Sequence, residues 1–293
     1  MGTAAARPCL RGTAPRRALK AREGLLPARG LNPLQAIHIP RKRFGQNFLE
    51  DPGVVREIVA AISPRRGDRI IEIGPGAGSL TAALLEHVGH LDAIEIDRDL
   101  VRSLHARFPS ATLNVHQGDA LKTDFSPFGA DLRIVGNLPY NISTPILFQL
   151  TAQAGLLRDC HFMLQREVVE RMSAEAGSPA YGRLSVMLQY RWIIQSLFHV
   201  PPTAFHPQPK VWSSVVRMMP YATLPHRASD EGAFADVVSR AFGQRRKTLR
   251  NALKDLLEAR ELEQLRIEPG ARGETLGVEQ FVRIANYLHA RQR

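Results

Sequence analysis

Asp68-Arg69-Ile70-Ile71-Glu72-Ile73-Gly74-Pro75-Gly76-Ala77-Gly78 is the stretch that decides the fold. A short apolar run ends in three alternating glycines, and Leu80, Leu84, Leu85 and Val88 then recur at helical spacing. Strand, glycine turn and helix open a doubly wound α/β sheet, in which ligands sit beyond the carboxyl ends of the strands. Glycines there allow positive φ and let a ligand approach the backbone closely. The spacing is G-x-G-x-G. It differs from the G-x-G-x-x-G that seats a dinucleotide pyrophosphate on a helix N-terminus.

The next strands extend this unit. Residues 91–96 read as a second strand ending at Glu95-Ile96-Asp97. An acid in this place commonly accepts from ribose hydroxyls. Glu95 and Asp97 compete for that role, and Asp97 also suits the cap of the helix that follows. A third strand at residues 112–115 leads to Asp119, which reads either as an acceptor for a ring amine or as a turn and cap residue. A fourth, at residues 131–135, runs into Gly136-Asn137-Leu138-Pro139-Tyr140-Asn141-Ile142-Ser143. Pro139 stiffens that corner and removes one backbone donor. The corner offers an amide, a carbonyl and an aromatic face, which suit a planar ring with an exocyclic amine. The plainer reading is a polar strand-end loop with Tyr140 packed on the sheet.

The pattern continues with a helix opened by Ser143-Thr144-Pro145, a fifth strand at residues 160–165, helical segments near 168–172 and 184–190, and strands at 193–200 and 211–218. Between these last two strands, four prolines in residues 201–210 predict a stiff extended loop. Phe205 within it reads as a wall over the pocket or as a cap on the core. Beyond residue 220 strand signals stop. Leu249, Leu253, Leu256 and Leu257 mark the apolar face of a helix, with Arg246, Arg250 and Lys254 along another. Three units follow: a basic tail over residues 1–38 expected to be disordered, a Rossmann-like domain over 39–220, and a small helical domain over 221–293.

The 293 residues carry 39 Lys and Arg against 28 Asp and Glu, a formal charge of +11, so a polyanion is the natural partner. The charge clusters at Arg41-Lys42-Arg43 and at Arg245-Arg246-Lys247 with Arg250, beside aromatic and amide residues in the first case. The competing reading of each cluster is a solvated face. Two cysteines, Cys9 and Cys160, exclude a disulfide scaffold and a Cys-rich metal site, and no His/Cys set has metal spacing. No apolar run is long enough to span a bilayer. The acid-poor tail lacks the apolar centre of a secretory signal; a mitochondrial transit peptide is the lesser alternative to a cytoplasmic location.

Taken together, seven blocks closely resemble the rRNA adenine N6-dimethyltransferase family. They are Lys42-Arg43-Phe44-Gly45-Gln46-Asn47-Phe48-Leu49, Glu72-Ile73-Gly74-Pro75-Gly76, Glu95-Ile96-Asp97, Gly118-Asp119-Ala120, the corner from Gly136 to Ser143, Phe205 with Pro207-Gln208-Pro209-Lys210-Val211, and Gln244-Arg245-Arg246-Lys247-Thr248-Leu249. They occur in order from about Arg41 onward. Trp212 departs from the family, which often has a small polar residue there. Tyr181-Gly182-Arg183-Leu184-Ser185 and the Gln-Arg-Arg-Lys-Thr block look most like the branch acting on small-subunit rRNA.

The resemblance implies a Rossmann-like S-adenosylmethionine-dependent methyltransferase sheet. It implies a monomer acting on a small-subunit rRNA particle in ribosome biogenesis, and the double methylation of two adjacent adenosines near the rRNA 3′ end. It implies cofactor contacts at Asn47, Leu49 (through its backbone), Gly74, Glu95, Asp119 and Asn137. Catalysis is expected at Asn137, Leu138, Pro139 and Tyr140, with Phe205 on the second face of the base, and no metal. RNA contacts are expected at Arg41, Lys42, Arg43, Arg245, Arg246, Lys247 and Arg250. Three rivals stand beside this reading: a related large-subunit rRNA methyltransferase, a non-catalytic assembly or transcription-associated factor on the same fold, and a nicotinamide oxidoreductase. The glycine spacing and the lack of a hydride-relay residue disfavour the last.

Overall fold

The computed structural model describes residues 46–243 and 247–291. The tail over residues 1–38 and the expected RNA contacts Arg41, Lys42, Arg43, Arg245 and Arg246 lie outside the described residues. In chain order the elements are β1 (Phe48–Leu49), α1 (Pro52–Ile62), β2 (Arg69–Ile73), α2 (Ser79–Val88), β3 (Leu91–Glu95), α3 (Arg98–Arg107), β4 (Leu113–Gln117) and β5 (Leu132–Asn137). Then come α4 (Ser143–Ala152), β6 (Leu157–Gln165), α5 (Arg166–Met172), α6 (Arg183–Gln189), β7 (Trp192–Val200), β8 (Phe205–His206) and β9 (Ser213–Pro220). Four further helices follow: α7 (Glu231–Gly243), α8 (Leu249–Ala252), α9 (Ala259–Gln264) and α10 (Val278–Arg291).

Seven strands form one sheet in the order β4-β3-β2-β5-β6-β9-β7. The five from β4 to β6 are parallel, and β9 runs antiparallel to both of its neighbours. The winding reverses between β2 and β5. That is the switch point, where open α/β sheets leave a crevice beyond the strand ends.

The strands read as unbroken apolar runs because both faces are covered. Alternate residues go to opposite sides. Ile71, Ile134 and Phe162 join one buried cluster, whereas Ile70, Val135 and Met163 join another with Ile58, Leu84 and Leu91. A third cluster holds the helical part. It gathers Phe234, Val237, Leu249, Phe281 and Ile284 with Tyr181, Val186 and Tyr190, which precede residue 220.

At the amino end of the sheet, buried Arg133 pairs with Asp68 at 2.7 Å and Asp159 at 2.9 Å and donates to the Ile62 carbonyl at 2.6 Å. Such a pair resists the loss of either partner, since the other charge would be stranded in a poorly hydrated site.

The fold differs from the sequence expectation in several places; β6 starts at Leu157, and β9 spans Ser213–Pro220, so Val211 and Trp212 precede it. Phe48 and Leu49 form an antiparallel ladder with His206 and Phe205, so neither the stretch before α1 nor the proline-rich loop is wholly without strand. The third strand runs on to Gln117, because its residues pair with Leu91–Glu95 of β3 along the whole length. The cationic helix is a single turn, α8. Leu249 and Arg250 donate their N–H groups to Ala271 and Pro269, and the chain leaves the helix at Leu253. Leu249, Leu253 and Leu257 are buried as the spacing predicts, but Arg250 and Lys254 do not share one helix face.

Candidate active site

A cleft enclosing about 1120 Å³, open solvent at its mouth included, lies at the switch point. One wall is the glycine turn from Gly74 to Ala77 after β2. The opposite wall is the corner from Asn137 to Ile142 after β5. The two are neighbours because β2 and β5 pair in parallel, Glu72 opposite Val135. A Cβ on Gly74 would lie 3.9 Å from the Asn137 carbonyl oxygen. Gly74, Gly76 and Gly78 all have positive φ, which lets the turn fold back over the strand end.

Asn137 is held by a contact that spans the cleft. Its Nδ2 donates to the Asn47 carbonyl at 2.8 Å. With the amino side of the amide committed there, Oδ1 is left as an acceptor without a donor among the described residues. At the next residue, the Leu138 N–H donates to Met163 at 3.2 Å. The Pro139 carbonyl is taken up by Ile142 N–H and the Ser143 hydroxyl. The Leu138 carbonyl accepts from no donor among the described residues, so Asn137 and Leu138 offer two open acceptors from one rigid corner. Tyr140 is half-buried, and its hydroxyl lies 2.8 Å from Ser213 Oγ, which fixes the ring from the β9 side. Burial pushes its phenol above the usual range.

The two acids at the end of β3 divide their roles. Glu95 lines the cleft, and its carboxylate accepts from Gly76 N–H at 3.3 Å and Asp97 N–H at 2.9 Å. Asp97 is 1% exposed and caps α3 through Asp99 N–H. Asp119 takes the cap role, one of its two readings, with Oδ1 on the short turn at Leu121, and also borders the cleft. Asn47 and Leu49 line the same cleft, Leu49 with its side chain in the core.

Phe205 is not brought to this cleft. It is 3% exposed and packs with Leu49, Met163 and Val215, on the ladder that carries β1. The expectation of a wall over the pocket is corrected to the core alternative, because pairing with Leu49 turns the ring inward. Lys247 and Arg250 are exposed in the helical part, away from the cleft lining. Among the described residues there is no group of three or more His, Cys, Asp or Glu that could hold a metal, and no helix long and apolar enough to cross a membrane.

Four residues gain a place that their sequence position alone did not assign. Phe48 lies against the glycine turn, with ring carbons 3.0 and 3.1 Å from where a Cβ on Gly76 would be. Ile96, 48% exposed, lines the cleft between the two acids. Ser213 anchors Tyr140. Glu72 lines the floor at 2% exposure and accepts from Thr81 Oγ1 at 2.6 Å. The Phe48 contact was hidden because it joins segments distant in sequence. Ile96 and Glu72 were in plain view as an exposed-end and a mid-strand residue of the glycine and acid blocks.

Burial, with the Glu95 charge adding to it against the Thr81 hydrogen bond, raises the Glu72 carboxyl from its ordinary 4.5 to about 7. Between those values the folded chain keeps a proton that the unfolded chain has lost. Stability therefore falls as pH rises through that window, and the cost is complete above it. Glu72→Gln keeps the Thr81 acceptor and removes the titration. Denaturant unfolding at pH 5 and pH 8 should show the variant close to the parent at pH 5 and more stable at pH 8, by on the order of 3 kcal/mol. Parallel pH profiles for the two proteins would refute this account of the cleft floor.

Comparisons with known proteins agree with the fold. The family model for ribosomal RNA adenine dimethylase matches residues 37–290. The chain is 56% identical over 254 residues to the ribosomal RNA small subunit methyltransferase A of Aromatoleum aromaticum, covering 87% of this chain and 96% of the relative. The protein of that name from Chromobacterium violaceum is 55% identical over 253 residues, covering 86% and 97%. Among solved structures, a dimethyladenosine transferase from Plasmodium falciparum superposes with a TM-score of 0.72 at 25% identity, covering 84% of this chain and 98% of that one. The 23S rRNA methyltransferase ErmE shares the fold, with a TM-score of 0.67 at 23% identity over 83% of this chain and all of its own.

Proposed function

The chain belongs to the ribosomal RNA adenine dimethylase family, and from that premise we propose that it uses S-adenosylmethionine to dimethylate the N6 amines of two adjacent adenosines near the 3′ end of small-subunit rRNA. The observation that carries this reading is that Asn137 and Leu138, whose side-chain and backbone acceptors are taken up by no donor among the described residues, line the same cleft as the glycine turn.

The donor's residues fit a nucleoside. The positive-φ glycines leave room where a Cβ would intrude, Glu95 supplies carboxylate oxygens for ribose hydroxyls, Ile96 gives an apolar surface for a purine, and Asp119 Oδ2 is an acceptor for its amine. Asn47, Leu49 and Gly74 complete the seat. Once bound there, S-adenosylmethionine supplies an electrophilic methyl on a sulfonium.

The protein's contribution lies on the acceptor side. An adenine amine is a poor nucleophile because its lone pair is spread into the ring. Two acceptors drawing on its two N–H groups favour a pyramidal nitrogen and aim the lone pair across the cleft, an effect of position and electrostatics. Neither acceptor has to take the proton during the transfer, so amide and carbonyl oxygens suffice where a base would otherwise be needed. Pro139 keeps the two acceptors in register. Tyr140, tied to Ser213, stacks on the extruded base. Phe205 acts as a positioning residue, since its ladder with Leu49 holds the Asn47 carbonyl against Asn137. For the second methyl only one N–H remains, and the amine must rotate to present it. The basic residues Arg41, Lys42, Arg43, Arg245, Arg246, Lys247 and Arg250 would grip the RNA backbone.

Incubation with labelled donor and undermethylated small subunits, followed by mass mapping of the modified bases, tests the proposal. Label in two neighbouring dimethyladenosines of the small-subunit rRNA is expected. Label confined to large-subunit RNA, or none in either, would overturn it.

A further inference from the structure

Trp212 stands beside the catalytic corner without a role in it. The next residue, Ser213, is the one that holds Tyr140, and the Trp212 carbonyl accepts from Arg166 N–H at 3.0 Å. Through the 2.8 Å Tyr140–Ser213 bond and standard backbone dimensions, the Trp212 Cα lies at most about 9 Å from the Tyr140 hydroxyl. That is under three base-stacking rises of about 3.4 Å.

The indole is nevertheless 48% exposed, and Val211 beside it 43%. Among the described residues its ring makes no aromatic or cation contact and its Nε1 donates to nothing. The other tryptophan behaves as a core residue should: Trp192 is 1% exposed and donates Nε1 to Thr151 at 2.9 Å. An exposed aromatic ring of this size, just before a strand and next to a functional rim, offers a flat face on which a base can stack. Lys210 is exposed and has no ion pair among the described residues, and the chain as a whole carries +11.

We propose that Trp212, next in the chain to exposed Val211 and Lys210, is a stacking platform for an unpaired nucleotide flanking the target adenosine. The proposal rests on the RNA-methyltransferase reading above and adds a second base contact to it. A base lifted into the cleft onto Tyr140 leaves its neighbours unstacked, and an aromatic face within two or three rises is where one of them can restack. Lys210 meets the phosphate between them. Stacking needs no particular base, so the platform supplies affinity and register; sequence choice stays with the cleft.

Because there are only two tryptophans and Trp192 is buried, intrinsic fluorescence reports on Trp212 directly. The probe is a short single-stranded oligoadenylate at low salt. Titration of the full chain should quench the exposed component of the emission, and the quench should be absent in Trp212→Phe. Trp212→Phe, which keeps a stacking face, should hold the dissociation constant within about threefold. Trp212→Ala should raise it roughly 5- to 150-fold, the range that base–aromatic stacking supplies. Equal affinity for the alanine variant and the parent would overturn the platform while leaving the methyltransferase reading intact. Equal oligoadenylate affinity with weakened binding to whole small subunits would also overturn it, and would assign the face to a ribosomal protein. A parent chain that binds no RNA and methylates no small subunit would instead sink the underlying reading.

Discussion

Asn137→Ala should slow methyl transfer to small subunits by about 10²–10³-fold, the usual loss when one preorganised electrostatic contact to a reacting group is removed. Two effects are combined in this residue and they differ in size. The bond from Nδ2 to the Asn47 carbonyl, at 2.8 Å, is an ordinary neutral hydrogen bond. Its loss is worth about 0.5–1.5 kcal/mol and loosens the segment before β1, so donor affinity should fall by no more than roughly tenfold. The acceptor at Oδ1 is worth more, because it draws on the amine in the transition state more than in the ground state. Asn137→Asp separates the two. It keeps an oxygen toward the amine and sets a second one against the Asn47 carbonyl, so donor binding should suffer more and the chemical step less than in the alanine variant. Single-turnover rates at saturating donor, with equilibrium donor binding measured apart, read the two quantities. An Asn137→Ala rate within fivefold of the parent would show that this amide does not activate the amine.

What the sequence made legible here, and what it hid, follows from how local each signal is. β2, the glycine turn and α2 are contiguous, and their periodicities announce them without help from the rest of the chain. The same is true of β5 and its corner. The choice between Glu95 and Asp97 was open because both lie within one residue of a strand end. Glu95 lines the cleft, whereas Asp97 does not and caps α3. Phe205 was undecided for a different reason. Its direction is set by a two-residue ladder with Phe48–Leu49, whose partners come from opposite ends of the sheet domain and leave no periodic trace. The same ladder, with Glu50 and Asp51 N–H groups donating to the Ala204 carbonyl, is what presses Phe48 onto Gly76. A local pattern of leucines likewise gave the burial of Leu249, Leu253 and Leu257 but overstated the helix, since spacing reports which residues face inward and says nothing of the long-range bonds from Leu249 and Arg250 that fix where the turn starts.

Gly136→Ala should be the most damaging single methyl group that can be added to this site. Gly136 precedes Asn137 on β5, and its φ is not in the left-handed region, so backbone freedom is not what makes glycine necessary. The requirement is space. A Cβ there would sit well inside 3.0 Å of the Ile73 carbonyl oxygen on β2, with the Ile73 carbonyl carbon at 3.4 Å and Leu138 Cδ2 at 3.3 Å. The first two contacts are backbone, so no rotamer relieves them. The two central strands must part at the switch point, and the cleft walls part with them. Overpacking of a well-filled interior costs about 1–3 kcal/mol even where side chains can give way, and here they cannot. A loss of about 3 kcal/mol or more is expected, lowering the thermal midpoint by about 6–12 °C for a chain of this size. The donor site and the acceptor pair should lose register together, so transfer should fall even at temperatures where the variant is folded. Gly118→Ala is the control: it lies beside the same cleft, yet nothing stands within 4 Å of its added Cβ. It should leave the midpoint within about 2 °C of the parent. If Gly136→Ala melts like Gly118→Ala, the close approach of β2 and β5 is not what sets the cleft, and the account of how the corner meets the glycine turn fails with it.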